Sequence, residues 1–142
     1  MSRLLLLLFS IGVLGCGGST LPFEPIDTSL QFGRVGTASA PAGATAPPTV
    51  QVADGRIVVL GLMNTGYPCY EIRAHAQTAT SVTTVSVEAV GYGEYCVAVL
   101  AQFAYRVELA MPTGTERILV QHGYRNPGTA FTVVRDVRVG AQ

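Results

Sequence analysis

The chain has 142 residues, enough for one domain, and 49% of them are apolar, enough to build a core. Nine arginines balance nine acidic residues, there is no lysine, and the formal charge is zero, so nothing in the charge favours nucleic acid or an acidic partner. Valine, alanine, glycine and threonine abound and tryptophan is absent, a composition that suits strands and turns.

The first element is a targeting segment. Arg3 precedes an apolar run from Leu4 to Leu14, broken only by Ser10 and Gly12. The run is shorter than the roughly 20 residues a membrane-spanning helix needs, and its charge layout is that of a secretory signal. It ends in Val13-Leu14-Gly15-Cys16. These four residues resemble the lipobox of bacterial lipoproteins: an aliphatic residue, a tolerant position, a small residue, then cysteine. The resemblance covers the first sixteen residues. It implies that 1–15 is a signal peptide cleaved before Cys16, and that the thiol and new amino group of Cys16 are acylated, with palmitate or similar chains. It also implies export and a lipid anchor in the bacterial cell envelope. With Gly17 rather than aspartate after the cysteine, it points to the outer membrane where there are two. Acyl chains anchor at about 0.8 kcal/mol per buried methylene. The competing reading is an ordinary signal peptide with a chance cysteine at 16.

Residues 16–47 follow as a lipid-anchored flexible linker, rich in Pro, Gly, Ser, Thr and Ala from Gly36 on. About 30 such residues would span roughly 30 Å. Leu21, Phe23, Ile26, Leu30 and Phe32 are its apolar exceptions and could dock on the domain. The domain itself is expected over 48–142. Asp54-Gly55 between two strand-like runs is a hairpin signal, because a type I′ turn needs positive φ at both positions. By the same logic strands are expected at 48–53, 56–63, 69–77, 81–90, 95–111, 116–123 and 129–139. The fifth is long enough to bend or split near Ala101-Gln102. Parity supports half-buried sheets: Phe103, Tyr105, Val107, Leu109 and Met111 alternate with Gln102, Arg106 and Glu108, and Tyr70, Ile72, Ala74 and Ala76 alternate with Glu71, Arg73, His75 and Gln77. The expected fold is all-β, an antiparallel β-sandwich of about seven strands. It resembles the immunoglobulin-like form in strand count and length only, since the tryptophan expected between the two cysteines is missing.

With lipid on Cys16, Cys69 and Cys96 remain, and an even pair in an exported domain is read as a disulfide. A zinc site would have to draw on His75 and His122 and has no C-x-x-C. A nucleophilic cysteine would need a nearby histidine and an electropositive setting. Topology supports the bridge. If successive strands alternate in direction, Cys69 and Cys96 open strands that run the same way and so lie at one pole.

The same alternation gathers Gly66-Tyr67, Gly91-Tyr92 and Gly123-Tyr124 at that pole, each at an expected break, with Asn64, Glu94, Arg125 and Asn126. Clustered loop tyrosines suit protein, peptide or glycan recognition; the plainer reading is that glycine makes each turn and tyrosine caps the core or the disulfide. Because the linker would join the first of these strands at the same pole, the tyrosine end is expected to face the membrane unless the tether folds back. Glu71, Glu88, Glu108 and Asp136 read as solvated strand faces, Asp136 paired with a neighbouring arginine of its own strand. There is no G-x-S-x-G, no H-E-x-x-H and no phosphate-gripping glycine loop. The expectation is a non-enzymatic envelope lipoprotein, without cofactor or metal, whose domain binds an envelope protein, peptide or glycan or serves as an accessory subunit. A structural or assembly role and inhibition of an envelope protease by a braced loop are the alternatives.

Overall fold

A computed structural model describes residues 23–37, 45–66, 68–92, 96–97, 99–125 and 130–140. The signal segment and Cys16 lie outside the described residues. The described residues form nine strands: β1 (Glu24–Ile26), β2 (Thr28–Thr37), β3 (Thr49–Ala53), β4 (Arg56–Thr65), β5 (Tyr70–Ala79), β6 (Val82–Gly91), β7 (Ala101–Ala110), β8 (Arg117–Arg125) and β9 (Thr132–Arg138). They make a sandwich of a five-stranded sheet, order β1-β5-β6-β8-β9, and a four-stranded sheet, order β2-β7-β4-β3. All seven expected strands are present, and the long fifth one starts only at Ala101.

Two strands, β1 and β2, occupy residues that composition assigned to the linker, so the sandwich begins at Glu24 rather than 48. Only Asp27 separates them, yet β1 pairs with β5 in one sheet and β2 with β7 in the other. The chain therefore crosses between sheets at a corner while keeping its direction. Ile26 and Leu30, two of the apolar exceptions noted above, pack against the core. A second departure is that the sandwich is not wholly antiparallel. β6 and β8 pair in parallel, because the chain leaves β6 for the other sheet, runs back as β7, and returns as β8 in the direction of β6.

The turns at one end are tight, and their chemistry is local. Asp54 (φ 51°) and Gly55 (φ 70°) close the β3–β4 hairpin with the positive φ pair a type I′ turn requires. Thr80 (φ 57°) and Ser81 close β5–β6. Between β7 and β8, the Thr115 hydroxyl donates to Pro112 O at 2.8 Å and meets the Thr83 hydroxyl at 2.9 Å. Backbone bonds from Met111 N to Gly55 O and from Glu116 N to Ser81 O, both 2.8 Å, bind these turns to each other. This is the hairpin end. At the other end the connections 38–48, 66–69, 92–100 and 126–131 link the strands.

The core lies between the sheets and follows the expected parity. Ile57, Val59, Ile72, Val85, Val87, Phe103, Val107, Ile118 and Val120 are buried in one cluster, each such side chain worth about 1.5–3 kcal/mol. One polar bridge crosses it: Tyr105 Oη on β7 and His122 Nε2 on β8 are 2.7 Å apart. The Tyr105 ring lies over Gly61 on β4, where any Cβ would collide with it. Both bulges fall on pairings of edge strands, between Arg34 and Gly36 of β2 and between Val120 and Gln121 in the β8–β9 pairing. Irregular edges resist pairing with another chain.

Two charged residues behave differently from expectation. Glu88 is only 8% exposed, because β6 is a central strand whose outer face is covered by its neighbours; Arg73 is its cross-strand partner. Asp136 pairs with Arg117 of the adjacent β8 through two bonds of 2.8 and 2.5 Å, not with an arginine of its own strand. Glu71 pairs with Arg73, and Glu108 takes both Arg56 and Arg106.

Candidate functional site

Cys69 and Cys96 form a disulfide, with Cα atoms 6.0 Å apart. Cys69 lies just before β5 and Cys96 in the connection from β6 to β7, so the bridge ties that connection to the start of β5 at the end opposite the hairpins. A backbone bond from Tyr92 N to Cys69 O (2.9 Å) fastens the same connection a second time. The directions of β3 to β9 alternate, as the pole argument required, and the connections 66–69, 92–100 and 126–131 all emerge here.

The proposed site residues separate in this frame. Tyr92 is 59% exposed just past the end of β6, and Val97, 73% exposed, and Val99 follow on the same connection. All three lie on the connection that the disulfide holds. Asn64 is not on a loop: it sits inside β4, 2% exposed, accepting a 3.0 Å bond from Gln102 Nε2. Gly123-Tyr124 is not a break either, since β8 continues to Arg125. Tyr124 is half-buried and packs against the core, which matches the plainer reading of that tyrosine. Gly123 is small because the Phe131 ring covers it and would clash with a Cβ; Phe131 also meets the His75 ring edge-on at 5.8 Å. Tyr67, Glu94 and Asn126 lie outside the described residues, as does the side chain of Arg125. Thus Tyr92 is the one member of the proposed tyrosine set described as solvent-facing. Val97 and Val99 were missed by the sequence reading; their signal was an apolar run, "CVAVL", beginning at a cysteine that a disulfide holds outside any strand.

The other titratable groups serve the fold. Burial of His122 pushes its pKa down to about 4, and burial raises that of Tyr105 above the ordinary phenol value. The pair is sealed between the sheets and bonded to itself, so its chemistry is that of a polar bridge within an apolar core. Among the described residues, no three His, Cys, Asp or Glu side chains group as metal ligands would. A groove of about 680 Å³ opens at the hairpin end, between Glu24, Ile26, Asp27, Thr80, Met111 and Pro112. It is open and mixed in polarity, without the convergent polar groups of a small-molecule site.

Fold and site together define a disulfide-braced, two-sheet β-sandwich with tight turns at one end and an exposed apolar connection at the other. Compared with known proteins, the chain matches no family model, no curated protein and no solved structure.

Proposed function

We propose that this chain is an exported envelope lipoprotein, acylated at Cys16, whose sandwich acts without catalysis as a binding or accessory domain for an envelope protein, peptide or glycan. The observation that supports a binding role best is the connection 92–100. It carries Tyr92, Val97 and Val99 into solvent while Cys69–Cys96 and the Tyr92–Cys69 backbone bond restrain it. Apolar side chains on a restrained loop lose little entropy on contact, which is what makes such a surface effective for recognition.

The test compares wild type with a Tyr92→Ser/Val97→Ser variant, both full length and lipid-bearing, in cross-linking from intact envelopes. A partner captured by wild type and lost by the equally folded variant supports the reading; identical capture refutes it. Elution by sugar identifies a glycan. Mass spectrometry of the mature N-terminus tests the anchor separately, since an unmodified peptide running through Cys16 excludes it.

An assembly role draws support from a different feature. Among the described residues β1 pairs with β5 only from Ala76 to Thr78, and Phe32 is exposed on β2 along the same side of the sandwich. An incompletely paired edge beside an exposed aromatic can take a further strand. Self-cross-linking through β5 would favour this reading over the first.

A further inference from the structure

The order of β1 bears on how the molecule stands on a membrane. β1 runs away from the hairpin end: Glu24 pairs with Thr78, and Ile26 with Ala76. The chain therefore joins the sandwich at the hairpin end, not at the disulfide end as the shorter domain had implied. Phe23, the residue before β1, is exposed there.

Only seven peptide steps separate Cys16 from Phe23. Whatever their conformation, they reach no further than about 25 Å at full stretch. From the level of Phe23 to that of Tyr70, the strands rise over nine residue steps, about 30 Å, and the disulfide and its connections lie beyond Tyr70. Were the disulfide end resting on lipid, Phe23 would stand at least about 30 Å above the surface, further than the leash can reach.

We infer that the sandwich is held with its hairpin end toward the bilayer and its disulfide end toward the aqueous compartment, so that the partner of Tyr92 and Val97 is reached through water and is not lipid. This rests on acylation of Cys16. The covalent leash sets the orientation rather than any attraction of charge. The hairpin end is mixed in charge, with Glu24, Asp27 and Asp54 exposed beside Arg56, Arg117 and Arg138, so it offers no one-signed basic patch to anionic lipid. The 680 Å³ groove opens on the membrane-proximal side, where a large soluble partner would be excluded.

The experiment uses the full-length acylated protein in vesicles whose lipid headgroups carry a fluorescence quencher. A fluorescent non-natural residue replaces either Thr113 at the hairpin end or Val97 at the disulfide end, leaving the cysteines untouched. The 113 probe is expected to lose most of its emission and the 97 probe to keep most of it. Inserting about fifteen Gly/Ser residues after Gly18, which adds roughly 50 Å of reach, should erase the difference. Equal quenching of both probes at native leash length, stronger quenching at 97, or a difference that survives the longer leash would each overturn the inference. Mass spectrometry on the same preparation separates these from failure of the lipoprotein reading: an unacylated Cys16 removes both, whereas equal quenching of acylated protein removes this inference alone.

Discussion

The polar bridge in the core should make the domain acid-sensitive well above the range in which carboxylates titrate. His122 is 4% exposed, and burial takes its pKa from 6.5 to about 4. In the unfolded chain the imidazole takes up a proton as pH falls below about 6.5; in the folded chain it does not until about 4. Between those values the unfolded state binds more protons, so stability falls as pH falls. The full gap corresponds to about 3 kcal/mol, of which about 2 kcal/mol is lost between pH 7 and pH 5. Glu108 and Asp136 do not act in that window. Glu108 is held low by its bonds to Arg106 and Arg56, and Asp136 by its bond to Arg117. Their contribution is present above the ordinary carboxylate pKa and is lost only below roughly pH 4.5. Guanidinium unfolding at pH 7, 6 and 5 measures the effect, with the His122→Leu variant alongside. Wild type should lose about 2 kcal/mol, at constant m-value, and the variant should show little change from pH 7 to 5 whatever its absolute stability. A wild type whose stability is flat over that range, or a variant with the same slope, would refute the assignment.

Removing the disulfide with Cys69→Ala/Cys96→Ala should cost about 3–4 kcal/mol, given a sequence separation of 27 residues, read as a lower unfolding midpoint. Gly61→Ala should destabilise by at least about 1–3 kcal/mol, because the new methyl displaces the Tyr105 ring and with it the bond to His122; calorimetry checks this. Thr80 is β-branched at φ 57° in a two-residue turn, so Thr80→Gly should raise stability by about 1 kcal/mol, and a lower melting temperature would count against strain there.

The legible parts of this fold were those set by local chemistry. Asp54-Gly55 announced its hairpin, and the alternation in "YEIRAHAQ" and "AQFAYRVELA" declared which side chains face inward. Counting reversals placed Cys69 and Cys96 at one end, because every connection from β3 to β9 does reverse the chain. What escaped was non-local. β2 reads poorly as a strand: Gly33 and Gly36 interrupt it, and Arg34 shares inward parity with Leu30 and Phe32, as an edge strand beside an open corner tolerates. Its neighbour β1 is three residues long and contains a proline. The β6–β8 pairing joins segments separated by a whole strand of the other sheet, which no period reveals. Parity gave Glu88 its outward face correctly but could not give its burial, which depends on β6 being central. Gly123 looked like a turn residue; the reason for it, Phe131, comes eight positions later and acts through space.

The two ends of the sandwich are stabilised by different means, and the difference bears on use. At the hairpin end, short turns and the bonds from Met111, Thr115 and Glu116 give the backbone its partners locally. In the connection 92–100 the described backbone bonds run from Tyr92 N to Cys69 O and from Val99 N to Val97 O. Apolar side chains exposed on a loop tend to collapse or associate without selectivity. A covalent link from Cys96 to the start of β5 restrains this connection without burying Tyr92 or Val97. Its position beside exposed Tyr92 and Val97 ties it to restraining that surface while leaving it in solvent. β1 enters the sandwich at the opposite end, so a lipid on Cys16, as proposed above, would leave this surface the part of the molecule best placed to meet a partner.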